Sequence, residues 1–261
     1  FTPTANTEDV SNTLSLATSY TDTAGNEGSA ATTANYEVDT LVPSVSSFTL
    51  SDTALKVGEN ATVSLVFSEA VASFSSSADI TVANGTLATM TSTDNITWTG
   101  TLTPPVNTED ASNTLSLATS YTDTIGNPGP AATTANYEVD TLAPTVKSFT
   151  LSDTALKAGD NATVKLVFSE AVVSFSSSAD ITVANGTLTT MTSSDNITWS
   201  RIFTPTVDTE DASNTLSLAT SYTDTAGNAG PTATTLNYEV DTLAPSVNSF
   251  TLSDTALKAG D

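Results

Sequence analysis

The chain contains no cysteine and no histidine, and only six of its 261 residues are lysine or arginine. Without cysteine, no disulfide can staple the fold, and redox chemistry does not fix the compartment. With histidine absent as well, soft-metal sites and thiol or imidazole catalysis are excluded. Six cations against 29 aspartates and glutamates leave a formal net charge of −23. A surface of that sign repels nucleic acid and anionic lipid, so neither nucleic-acid binding nor membrane insertion is expected. No apolar run approaches the roughly 18 residues that a membrane span requires. No signal peptide is visible, as expected for an internal stretch. Acidity of this kind suits solubility or cation binding. It does not indicate disorder, because Val, Ile, Leu, Phe, Tyr and Trp recur at strand spacing.

What the sequence does have is repetition. The stretch Tyr121-Thr-Asp-Thr-Ile-Gly-Asn127, running on to Val139-Asp-Thr-Leu-Ala-Pro144, occurs three times in nearly the same words. Tyr20, Tyr121 and Tyr222 are 101 residues apart, and so are Asp39, Asp140 and Asp241. Phe48, Phe149 and Phe250 keep the step, as do Trp98 and Trp199. A unit of that length is a domain of ordinary size. Residues 1–39 read as the C-terminal part of a repeat, 40–140 and 141–241 as complete repeats, and 242–261 as the N-terminal part of the next. The expectation is a window of a longer array.

Within residues 40–140, Pro43 breaks the chain before a strand over Val45–Ser51. Ala61–Ser68 alternates, with Val63, Leu65 and Phe67 on one face; Lys165 stands in the second copy where the first has Ser64, which assigns the other face to solvent. Residues 68–77 read as a loop anchored by Val71 and Phe74. Asp79–Ala83 reads as a strand, and Asn84-Gly85 as a type I′ turn closing a hairpin onto Thr86–Met90. Ile96–Leu102 carries Trp98, taken like Trp199 as a core plug. Leu115, Leu117 and Tyr121 line the next strand; Ala135, Tyr137 and Val139 line the last. Gly100 has Arg201 as its counterpart, which suggests a strand end near solvent. Seven short strands with polar turns and no helix pattern predict an all-β fold: tandem immunoglobulin-like β-sandwiches of about seven antiparallel strands each.

The motifs Ser148-Phe-Thr-Leu-Ser-Asp-Thr-Ala-Leu-Lys-Ala-Gly-Asp160, Val66-Phe-Ser-Glu-Ala-Val71, Asp79-Ile-Thr-Val-Ala-Asn-Gly85, Ile96-Thr-Trp98, Thr108-Glu-Asp110 and the repeated Tyr-Thr-Asp-Thr-Ala-Gly-Asn appear in order. Together they resemble the bacterial Ig-like repeats of giant secreted surface proteins and RTX-type biofilm adhesins. The resemblance covers the whole chain. It implies secretion, an extracellular or cell-surface location, calcium-stiffened linkers and a part in adhesion or biofilm. Many relatives carry Asp-Thr-Thr-Ala-Pro in the linker; here Leu142 replaces the second threonine, which keeps Asp140 and removes a hydroxyl.

The alternating chain direction of such a sandwich places Glu69, Asp123 and Asn127 at one end, with Glu109, Asp110 and Asp140 at the other. Stacked repeats would then bring Glu109, Asp110 and Asp140 of one against Glu170, Asp224 and Asn228 of the next. Asp39 precedes the first complete repeat in the same way, and Glu210, Asp211 and Asp241 close the second. Several carboxylates with a side-chain amide are hard oxygen ligands suited to Ca²⁺, which takes six to eight. Paired carboxylates also serve glycoside hydrolysis, but Glu109-Asp110 is adjacent in sequence and copied in every repeat, so no enzyme is expected. A carbohydrate-binding module lacks its exposed aromatic row. A self-assembling extracellular filament, with lateral or end-to-end association of chains, is the alternative to a spacer that contacts neighbouring repeats of its own chain. Asn-x-Thr sequons recur at Asn60, Asn84 and Asn95, and again at Asn161, Asn185 and Asn196.

Overall fold

A computed structural model describes residues 1–260. The chain forms two compact units, Phe1–Leu142 and Ala143–Asp261. In the first, the alternation along Ala61–Phe67 makes that strand the centre of a sheet. Val63, Leu65 and Phe67 are at most 1% exposed while Thr62 faces water. The strand pairs antiparallel with Val45–Leu50 on one side and Thr97–Thr103 on the other, and Thr86–Leu87 forms the edge. The other strands supply the opposing layer. Tyr137–Asp140 runs antiparallel to Glu109–Asn113 and parallel to Ala54–Lys56. Leu115–Leu117 lies between Ile80–Val82 and Ala132–Thr133, and Val71–Ala72 pairs with Thr122–Asp123. Between the layers sit Phe48, Leu55, Leu102, Leu115, Leu117, Tyr121, Tyr137 and Val139, all buried.

The second unit repeats this order. Ala162–Phe168 is flanked by Val146–Leu151 and Thr198–Pro205, and Tyr238–Asp241 by Glu210–Asn214 and Ala155–Lys157. Lys165 is exposed there, on the face assigned to solvent. In residues 1–39, Glu8–Asn12 pairs with Tyr36–Asp39 and Ser15–Leu16 with Ala31–Thr32, as their counterparts do in the complete repeat. Residues 242–260 form no strand.

The sandwich is more finely divided than seven strands. Residues 40–140 hold twelve short strands and one helical turn, Ser76–Asp79. That turn runs from the end of the expected loop into the expected strand, which begins only at Ile80; Asp79 is buried there and its carboxylate accepts the N–H of Ser75 at 2.7 Å and the hydroxyl of Ser120. Four residues are too few for a helical period to register. The loop's anchors hold: Val71 is buried, and Phe74 packs edge-on against Phe67, Trp98 and Tyr121. Trp98 itself is half-buried against the core rather than inside it. Ala135 is exposed, because its strand begins only at Tyr137. Gly100 lies mid-strand, where a Cβ would come within 2.8 Å of the Met90 side chain and 3.0 Å of the Ala88 carbonyl. In the second copy Arg201 escapes to solvent and donates from Nε to the hydroxyl of Thr189, the counterpart of Ala88, at 3.3 Å.

The Asn84-Gly85 hairpin is not formed. Ile80–Val82 pairs with Leu115–Leu117, whereas Thr86–Leu87 pairs with Thr97–Thr103, so Asn84-Gly85 carries the chain from one sheet to the other. A positive φ serves either purpose, and Asn84 has φ 43°. What distinguishes the crossover is distant in sequence. The Asn84 amide donates to Asp110 Oδ2 and to Asn113 Oδ1, both at 2.7 Å. Buried Asn113 in turn donates to the carbonyls of Asp110 and Tyr137, at 2.8 and 3.1 Å, and the Tyr137 hydroxyl donates to the carbonyl of Ala83. These bonds pin the crossover at Asn84 to the strands Glu109–Asn113 and Tyr137–Asp140.

Two expectations follow. Asn84→Asp is nearly isosteric but sets a carboxylate against Asp110. It should cost about 1–3 kcal/mol at neutral pH, the price of unmade buried hydrogen bonds, and recover in acid. Urea unfolding followed by Trp98 fluorescence in a Trp199→Phe background measures it. Secondly, every buried member of the first core lies within residues 48–139. Residues 40–140 expressed alone should therefore give a dispersed amide spectrum and one cooperative transition; aggregation or a molten product would count against autonomy.

Candidate metal centre

The loop after Thr122–Asp123 is folded around a carboxylate. Asp123 Oδ1 accepts the backbone N–H groups of Ile125, Gly126 and Asn127 at 3.0, 2.7 and 2.9 Å. Asp123 Oδ2 takes the Asn127 amide at 2.7 Å. Gly126 has φ 112°, which the tight return of the chain requires. The same Asn127 amide reaches the carbonyls of Asp39 and Leu41, at 3.2 and 3.3 Å, and so fastens the loop to the segment leading into the repeat. Asp123 is 1% exposed.

Glu69 follows strand Ala61–Phe67, and Asp39 ends strand Tyr36–Asp39; both are half-buried. One oxygen each of Asp39, Glu69 and Asp123 lies within 4.8 Å of the others. Asp39 belongs to the preceding partial repeat, Glu69 and Asp123 to the complete one. Like charges at that spacing repel by about 3 kcal/mol per pair at an effective dielectric near 20, and less where water reaches Asp39 and Glu69. Burial pushes the Glu69 carboxyl above its ordinary value, and Asp123, Asp39 and Glu8 push it further. Burial also raises Asp123, but the hydrogen bonds from Asn127, Gly126 and Ile125 outweigh it and hold that carboxyl low. The loop thus keeps Asp123 ionised, and the charge burden falls on Glu69.

The other candidate residues divide by role. Glu109 lies opposite Asp140 across its sheet, as Glu210 does opposite Asp241 and Glu8 opposite Asp39. Asp110 and Asp211 turn away from this chemistry: they accept the amides of Asn84 and Asn185 at 2.7 Å and the backbone N–H of Ser112 and Ser213 at 2.9 Å. Sequence spacing could not separate Asp110 from Glu109, since the bond to Asn84 spans 26 residues. Asp140 is buried and its Oδ1 accepts the N–H of Leu142 at 3.2 Å. In the second unit Asp224 organises the same loop, accepting from Gly227 and Asn228 at 2.7 and 2.8 Å; Asn228 is buried and Glu170 half-buried. Glu8, which also raises the Glu69 carboxyl, is a neighbour that the sequence left out.

Two tandem sandwiches with acidic ends define a repetitive protein class, and family comparison gives it a place. The bacterial Ig-like domain model matches residues 39–139 and 140–240, so the chain belongs to that family. No curated protein sequence matches it. Among solved structures it is similar to FdeC, an Escherichia coli adhesin, at 14% identity and TM-score 0.35, over 76% of this chain and 64% of that one. It is also similar to the D0-D1 domains of intimin, at 15% identity and TM-score 0.25, over 73% and 98% of the two chains. The N-terminal part of the bacterial S-layer protein SbsC matches at 15% identity and TM-score 0.27, over 77% and 44%. The chain therefore spans less than two-thirds of the FdeC and SbsC chains. No helix among the described residues is long and apolar enough to cross a membrane.

The raised Glu69 carboxyl has a direct consequence. Its folded pKa lies above the unfolded one, so ionised Glu69 lowers stability at neutral pH, and that cost fades as pH falls through the folded value towards the ordinary 4.5. Asp123 works in the opposite sense: its contribution is present above 3.8 and is lost only as pH falls through its depressed value. In chelator at neutral pH, Glu69→Gln should raise the melting temperature, and the gain should shrink in acid. An unchanged melting temperature would show that the three carboxylates do not strain the chain.

Proposed function

We propose that this chain is a structural spacer of a large secreted cell-surface adhesin, of the biofilm type, whose repeats are stiffened by calcium bound where one repeat meets the next. The observation that carries the reading is the convergence of Asp39, from one repeat, with Glu69 and Asp123, from the following one. A divalent cation turns their mutual repulsion into attraction, and carboxylate oxygens are the donors that calcium prefers. Asn127 would orient the group from outside it.

Other features support a spacer. The domains are tandem copies with separate cores, the family is that of bacterial Ig-like domains, and the charge of −23 keeps a long array soluble. FdeC is described as an adhesin and SbsC as a surface-layer protein, settings in which a stiff extracellular segment is useful. On this reading the chain performs no catalysis and its partners are its own neighbouring repeats.

Calcium should raise the melting temperature relative to chelator, by mass action on the folded state, and should lengthen the particle in solution scattering. Calorimetry on Asp39→Ala should lose about one ion per chain. Matching melting curves and scattering profiles with and without calcium would remove the metal from this account.

A further inference from the structure

The structure sorts the six Asn-x-Thr sequons into two kinds. In Asn84-Gly-Thr86 the amide nitrogen gives both protons to Asp110 and Asn113, at 2.7 Å each. Asn185 does the same with Asp211 and Asn214, again at 2.7 Å. Both asparagines are half-buried. These nitrogens cannot react without first breaking the bonds that fix the crossover.

The other four are presented. Asn95 and Asn196 stand at turn tips with φ 57° and are exposed. Their turns are fixed from beneath: Asp94 Oδ1 accepts the N–H of Ile96 and Thr97, both at 2.9 Å, and Asp195 that of Ile197 and Thr198 at 2.9 and 2.8 Å. Asn60 is exposed just after the turn from Lys56 to Glu59. Asn161 is exposed too; its Oδ1 accepts from the Thr204 hydroxyl at 2.7 Å, which leaves its nitrogen outward. Among the described residues none of these four amide nitrogens donates a hydrogen bond. The hydroxyl-bearing third residue is exposed at Thr62, Thr97 and Thr163, and half-buried at Thr198.

We propose that Asn60, Asn95, Asn161 and Asn196 are acceptor sites for N-linked sugar, and that Asn84 and Asn185 are withheld from it by the fold. The donor is a sugar activated at its anomeric carbon by a nucleoside diphosphate or a lipid pyrophosphate. The amide nitrogen forms the new C–N bond, the C–O bond to phosphate breaks, the phosphate leaves with the electron pair, and the N–H proton passes to the transferase's base. A glycan on these turns is bulky, neutral and hydrophilic, and displaces nothing from the core. It would add to a surface already protected by charge.

Two measurements test this. Glycopeptide mass spectrometry on the protein purified from the organism that makes it should find hexose on these four asparagines. Bare asparagine at all four would overturn the proposal. Separately, the folded chain is incubated with an asparagine-directed glucosyltransferase and uridine-diphosphate glucose, with and without denaturant. Folded protein should show occupancy at the four sites about tenfold or more above that at Asn84 and Asn185, the factor expected from two hydrogen bonds that must first break. Denaturant should abolish the difference. Equal occupancy at all six sites in the folded chain would refute the sorting.

Discussion

With no cysteine to crosslink it, each sandwich is held by the apolar faces of two sheets pressed together. Val63, Leu65 and Phe67 from one layer meet Leu115, Leu117, Tyr121, Tyr137 and Val139 from the other. Phe67 and Tyr121 lie with ring centroids 4.9 Å apart, and Phe168 and Tyr222 repeat the contact at 4.9 Å. Burial pushes the Tyr121 phenol up to about 12, while its hydroxyl still donates to the Pro130 carbonyl at 2.9 Å. The ring also leans on Gly129, where a Cβ would sit 2.1 Å from it. Close packing of this kind leaves no room for a different residue at that glycine. Everything polar in the fold is arranged around these contacts.

The polar arrangement serves two ends. Inside the sandwich, Asn84, Asp110, Asn113 and Tyr137 form one connected set of hydrogen bonds, and Asp79 with Ser120 forms another. Each satisfies groups that burial would otherwise penalise. At the end of the repeat the same residue types do the reverse. Asp39, Glu69 and Asp123 are held close, with one oxygen of each within 4.8 Å of the others. The strength of the Asp123 loop makes this possible, since the backbone N–H groups that keep Asp123 ionised come from its own turn. A carboxylate stabilised locally can be placed where it repels its neighbours.

This division explains why acidic residues of equal standing in the sequence have unequal roles. Glu109 and Asp110 are adjacent, yet only Asp110 points to Asn84. Asp79 precedes one short strand and Asp123 ends another, yet the first closes a helical turn and the second gathers a loop at the repeat's end. The same sorting applies to the sequons, where one Asn-x-Thr pattern has its amide bonded to Asp110 and Asn113 at Asn84 and exposed at Asn95.

The sequence by itself determined the repeat, its 101-residue step, the all-β class and the inward faces of the main strands. Those properties are written in short-range patterns: period-two alternation along Ala61–Phe67, and recurrence of Tyr121, Trp98 and Asp140 in register. It also marked Asp39, Glu69 and Asp123 as candidates, because loops at the same end of a sandwich follow from strand direction. The tertiary structure alone decided which strands pair across Asn84-Gly85, that Asp110 faces inward, and that Glu69 rather than Asp123 bears the electrostatic strain. Each of these depends on partners far apart along the chain, such as Asn84 with Asp110 or Glu69 with Asp39. Local residue patterns constrain backbone angles and burial, but the choice of a distant hydrogen-bond partner is made only when the sheets close on one another.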